Sequence, residues 1–204
     1  MLIPETGVHQ ISERYFFTPS SLARELFYYP TRCGHYFCDH TYSFSHQSEI
    51  ARESDHNNHI MLFLVLDGGE DKVDSDIENQ GRLCSELYLN EEAKWLKGVV
   101  ESDEWKNAER RIVFNHIPPQ IKDAWHGNLN MSQKFLPILN GAGVDLMLSG
   151  HVHKYSFREV GSTDAAFPVI TNGQWQRMEV TVNAKKIAVR IYDTDGKLTH
   201  TVDL

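Results

Sequence analysis

The sequence predicts an α/β fold, with mixed β-sheets flanked by helices, on three observations. Short continuous apolar runs, "IMLFLVLD", "RRIVFNH" and "VDLMLS", read as strands covered on both faces. Segments with helical spacing of apolar residues lie between them. Alternating runs joined by tight turns close the chain, so crossovers give way to antiparallel hairpins. At 204 residues the chain can bury a sizeable core, and with no repeat or linker it reads as one domain over 1–204, least defined over 1–27.

In chain order, "TPSSLARELFYY" predicts a short helix with Thr18 as N-cap and Pro19 in its first turn. "HYFCDHTYSFS" alternates as a strand, and the polar "SHQSEIARESDHNNH" reads as a loop. The buried run ending at Asp67 comes next, followed by the acidic, glycine-punctuated loop "GGEDKVDSDIENQGR". In "NEEAKWLKGVVES", Asn90 is placed to cap a helix whose buried stripe is Trp95, Leu96, Val99 and Val100. "RRIVFNH" is a strand stopped by Pro118 and Pro119. "MSQKFLPILNGAGV" predicts a helix ended by Gly141 and Gly143. "VDLMLS", "FPVITNG", "QRMEVTV", "KIAVRIYD" and "KLTHTVDL" complete the strands, with Asp195-Gly196 as a tight turn.

Composition narrows the function. A net charge of −8 without a Lys/Arg cluster argues against nucleic acid and against an anionic membrane surface. No apolar run approaches transmembrane length, and the first ten residues lack the pattern of a signal peptide. Three cysteines fit a reducing compartment better than a disulfide framework, so the expected location is cytoplasmic. Neither a Gly-x-Ser-x-Gly elbow nor a phosphate loop ending in Lys-Ser/Thr occurs, which removes support for acyl transfer and for nucleoside triphosphatase chemistry.

The chemistry lies with the histidines. His151 and His153 follow "VDLMLSG". In an extended segment such residues point the same way, with Cα atoms about 6.5–7 Å apart. They can therefore serve one or two cations at a strand end, where ligands of α/β sheets bind. His116 stands at the end of "RRIVFNH" and brings a third imidazole to the same edge. Imidazole suits zinc, manganese or iron, so the cluster does not name its metal.

The order "NHIPP", helix, "VDLMLSGHVHKY" resembles the calcineurin-like metallophosphoesterases, a group that includes the purple acid phosphatases. "FLVLDGGEDK", "NEEAKWLKGVV", "PVITNG" and "VTVNAKKIAVRIYDTDGK" extend the likeness over roughly residues 28–204. The resemblance implies a sandwich of two sheets between helices. It also implies metal-dependent hydrolysis of a phosphate mono- or diester by a metal-activated water. In that pattern His116 and His151 bind one ion and His153 the other. Asn115 and His126 fall on the substrate side, Asn115 where many members carry another histidine.

The early motifs of that family, Asp-x-His, Gly-Asp-x-x-Asp and Gly-Asn-His-Asp/Glu, are absent, with "PETG" as a candidate remnant of the last. The expectation is thus a C-terminal part of such an enzyme, holding one divalent ion (Zn, Mn or Fe) at most and inactive alone. Without a bridging carboxylate, two adjacent cations repel with little compensation. The uncovered sheet would then favour a homo-oligomer.

The alternatives are a non-catalytic binding or assembly remnant, and a one-metal hydrolase holding zinc on His116, His151 and His153. Cys33, His35, Cys38 and His40 lie too close together for a structural zinc site. The acidic loop from Glu70 to Glu78 lacks calcium-loop spacing and reads as a solvated loop. Asp67 either caps a turn or orients a ligand. Trp125 and His126 sit in a loop that borders the substrate or simply lies on the surface.

Overall fold

The computed structural model describes residues 60–77, 85–119, 125–162 and 164–204 in full, and 10–16, 32–37 and 49–54 as backbone strands. The chain divides into two compact units, one of residues 1–45 and 74–84, the other of 46–73 and 85–204. Within the first, β1 (Gln10–Phe16) pairs antiparallel with β2 (Arg32–Phe37), with a bulge between Ile11 and Glu13. The helix expected at Thr18, the continuation of the strand through Phe44, and Cys38 and His40 lie outside the described residues.

The second unit carries the candidate site. It begins with β3 (Glu49–Ser54), which pairs antiparallel with β4 (Ile60–Leu66). The polar segment read as a loop therefore contains a strand, the outermost of this sheet among the described residues. Backbone pairing needs no apolar side chains, so the continuous apolar run that marks the inner strands is missing from it.

α1 runs from Ser85 to Glu101. Asn90 lies inside it rather than at its start, and its Oδ1 accepts a hydrogen bond from Lys134 Nζ. The buried face is Tyr88, Leu89, Glu92, Leu96 and Val99, with Trp95 and Val100 only half-buried. The expected stripe is thus displaced by part of a turn. α2 (Asp103–Lys106) is a single turn capped by Ser102, whose Oγ accepts from Trp105 N–H at 3.1 Å.

β5 (Arg110–Asn115) leads to a helical run that starts earlier than expected. It comprises α3 (His126–Asn130), a π-helical turn (Met131–Phe135) and α4 (Leu136–Leu139). Pro137 has no N–H, and its ring crowds the preceding turn, which accounts for the widened turn just before it. Gly143, at φ 68°, helps to end the run.

The remaining strands are β6 (Leu146–Ser149), β7 (Ser156–Arg158), β8 (Val169–Thr171), β9 (Arg177–Val182), β10 (Ile187–Tyr192) and β11 (Leu198–Asp203). One sheet has six described strands in the order β3-β4-β5-β6-β8-β7 and the other has three, β11-β10-β9. The four central strands of the larger sheet are parallel, and β3 and β7 are antiparallel. This is the mixed α/β arrangement the sequence predicts. No described helix is long and apolar enough to cross a membrane.

Ile112, Leu146, Leu148 and Ile170 of the larger sheet join Ile187, Val189, Ile191 and Val202 of the smaller in one buried cluster. Leu62 and Leu64, which point to the opposite face of the pleat from Phe63, are fully buried as well. Both faces of the central strands are therefore covered, which accounts for their continuous apolar runs. At the N-terminal ends of β5 and β6, Arg110 Nη1 donates to Asp145 Oδ1 at 2.7 Å, and Arg111 N–H donates to Asp145 Oδ2 at 2.8 Å. Arg110 Nη2 also reaches Ala184 O at 3.0 Å, tying in the β9–β10 hairpin.

Candidate functional site

Parallel pairing of β4, β5, β6 and β8 places their C-terminal ends along one edge. A pocket of about 400 Å³ opens there, with Leu66, Asn115, His116, Ser149, Gly150 and Asn172 in its wall. This is the expected ligand position for such a sheet.

β5 and β6 are neighbours in register, Phe114 opposite Leu148, so the residues just beyond them meet. Gly150 N–H donates to His116 O at 3.0 Å. The His116 and His151 rings pack edge to face with centroids 5.0 Å apart. A Cβ at Gly150 would lie 3.5 Å from His116 Nδ1, in ordinary van der Waals contact with the ring.

His151 and His153 are not extended. Their φ angles are 66° and 57°, in the left-handed region that non-glycine residues rarely occupy. β6 ends at Ser149, and beyond it no ladder holds the chain straight. The alternation expected to aim both rings one way is replaced by a winding turn. His151 is half-buried beside His116, and His153 is exposed. Burial holds the His116 imidazole below its ordinary 6.5. The charge of His151 adds to this, Asp71 opposes it, and His153 lowers it further.

Asp71 is the residue sequence reasoning missed. Its Oδ1 lies 2.9 Å from His151 Nε2 and accepts from Trp125 Nε1 at 2.7 Å. Trp125 in turn stands 5.5 Å, ring centre to ring centre, from His151. Trp125 therefore borders the histidines. Asp71 belongs to a loop with no periodic pattern, and nothing local distinguishes it from its acidic neighbours.

Asp67 works locally. Its Oδ1 accepts from Gly69 N–H at 3.1 Å, and its own N–H donates to Glu92 Oε1 at 2.8 Å. This is turn capping, supported by a fully buried glutamate from α1. His126 is the first residue of α3, and its Nε2 lies 2.9 Å from Asn130 Nδ2 and 3.6 Å from Glu86 Oε1. It is engaged with α1 and its own helix. Asn115 is 2% exposed, and its Nδ2 donates to Ile117 O at 2.6 Å and to Met131 Sδ at 3.2 Å.

Among the described residues no group of three or more His, Cys, Asp or Glu is placed to hold a metal ion. His151 Nε2 is taken by Asp71. The residues described here do not fit a two-ion centre.

No family model matches the sequence, and no curated protein matches it. Solved structures do. GAP50, "the anchor in the inner membrane complex of Plasmodium", is similar at TM-score 0.50 and 16% identity, over 80% of this chain and 56% of that one. The calcineurin-like phosphoesterase YfkN from Bacillus subtilis gives 0.37 and 16%, over 77% and 49%. Zn²⁺-complexed Vps29 from Entamoeba histolytica gives 0.29 and 14%, over 76% and 60%. The chain shares its mixed α/β fold with the GAP50 structure. At these identities the likeness is one of fold, and the chain spans about half the length of the first two structures.

Proposed function

We propose that this chain is the histidine-bearing part of a metal-dependent phosphoesterase, acting on phosphate mono- or diesters. The observation that carries the reading is the meeting of His116 and His151 at the C-terminal ends of adjacent parallel strands, 5.0 Å apart beside a pocket. The sequence adds His153 two residues on, in the order and context of the calcineurin-like motifs. Imidazoles at such an edge suit zinc, manganese or iron. Because three such ligands do not converge among the described residues, a working centre needs carboxylates beyond them. The described site by itself holds one divalent ion weakly at most.

The test is calorimetric titration of the chain with Zn²⁺ or Mn²⁺, alongside turnover of p-nitrophenyl phosphate and bis-p-nitrophenyl phosphate. We expect at most one ion per chain, weakened at least tenfold by His151→Ala or His116→Ala, with little turnover. Fusing a segment that carries the aspartate motifs ahead of the chain should then produce turnover. No ion binding by either form, or binding indifferent to both histidines, would sink the reading.

The Asp71–His151 pair favours a second reading, a non-catalytic binding module in which a carboxylate has taken the place of a cation. Its signature is a gain on removing the carboxylate: Asp71→Ala frees His151 Nε2 and raises affinity for Zn²⁺.

A further inference from the structure

We infer that Asn115, Asn128 and Arg158 are positioning residues that together fix the turn carrying His116. The chain leaves β5 through His116-Ile117-Pro118-Pro119. Prolines have no N–H, so this turn cannot be closed by its own backbone ladder. Its carbonyls are instead taken one after another. His116 O accepts from Gly150 N–H at 3.0 Å. Ile117 O accepts from Asn115 Nδ2 at 2.6 Å, Pro118 O from Asn128 Nδ2 at 2.5 Å, and Pro119 O from Arg158 Nη1 at 2.5 Å. Four successive carbonyls thus meet four donors, drawn from the end of β5, the loop after β6, α3 and β7.

The three side chains are committed to this task. Asn128 is fully buried and Asn115 nearly so. Among the described residues neither Asn115 Oδ1 nor Asn128 Oδ1 has a partner, and the same is true of Arg158 Nε. Burial lowers the pKa of Arg158, and it makes no ion pair with a described acid. Its other hydrogen bond is a long one, Nη2 to Thr171 Oγ1 at 3.5 Å. Desolvating a guanidinium without a carboxylate is unfavourable. The return is a backbone held on both sides of Ile117, which leaves the His116 ring only its own side-chain torsions. The ring is thereby held edge-on to His151. Stability alone would be served as well by an apolar side chain in place of the arginine.

The inference rests on His116 being a working site residue, but its test needs neither turnover nor a metal. The full chain is labelled at histidine, and the nuclear Overhauser effect between the His116 and His151 rings is measured. The variants are Arg158→Met, Arg158→Lys, Arg158→Gln and Asn128→Ala, each with its urea midpoint. Arg158→Met and Asn128→Ala should abolish the effect and shift the His116 ring resonances. Arg158→Lys and Arg158→Gln, which keep a donor, should restore both in part. If Arg158→Met fails to fold, the comparison of Lys and Gln with wild type carries the test. A lowered midpoint with an unchanged His116–His151 Overhauser effect would overturn the inference. So would an effect abolished just as fully in the donor-keeping variants. Failure of the phosphoesterase reading would show separately, as absence of ion binding in the unsubstituted chain.

Discussion

Asp145→Ala should destabilise the second unit by about 3 kcal/mol. The carboxylate makes two bonds of different kinds, a charge-assisted one from Arg110 Nη1 at 2.7 Å and a backbone one from Arg111 N–H at 2.8 Å. Both partners of the ion pair are about one-fifth exposed, so water screens them less than a surface pair. A hydrogen bond to a charged group contributes about 1.5–3 kcal/mol, and a neutral one about 1. Truncation also leaves Arg110 with carbonyls only, at Asn183 and Ala184. The sum is about 2–4 kcal/mol, or on the order of 4–16 °C in Tm for a unit of this size. Urea denaturation followed by circular dichroism measures it. Asp145→Asn retains an acceptor for Arg111 and should cost roughly half as much. A loss below about 1 kcal/mol for alanine, or equal losses for both variants, would refute the assignment of this carboxylate as the tie between β5 and β6.

Two further outcomes concern the site itself. His116 has its pKa held below 6.5 in the folded protein, chiefly by burial, so the unfolded chain binds its proton first as pH falls. Its contribution to stability is full above 6.5 and is lost as pH drops through the lowered value. His116→Gln should therefore flatten the stability profile on the acid side, which denaturation at pH 7.5 and pH 5 would show. An unchanged acid slope would rule the assignment out. At Gly127 an added Cβ would stand 2.7 Å from the Cδ1 of buried Ile117 and 3.3 Å from Glu70 O. Gly127→Ala should thus cost about 1–3 kcal/mol by overpacking the turn behind His116, a loss that thermal melts would detect and that a neutral result would contradict.

The legibility of this chain in its sequence was uneven for identifiable reasons. β4, β5 and β6 were readable because burial on both faces leaves an unbroken apolar run. β3 was not, since "EIARES" is the outermost described strand of its sheet, where ladder hydrogen bonds suffice. α1 starts before the expected Asn90, and Tyr88 and Leu89 ahead of that residue belong to the buried face, so an asparagine able to cap does not by itself fix where a helix begins. Asp67 and Asp71 lie four residues apart in one acidic stretch, yet one caps a turn and the other reaches His151. Nothing local separates them.

The sequence by itself determined where strands end and which reactive side chains stand at those ends, because burial periodicity, proline and glycine act within a few residues. That places His116 after one strand and His151 after another. Tertiary structure alone decided that the two strands are adjacent and in register. It also decided that the chain winds through the left-handed region at His151 and His153, and that Asp71, Asn128 and Arg158 close on the site from distant positions. Those arrangements depend on long-range packing and pairing, and no short stretch of sequence records the partner that a side chain will meet across the fold.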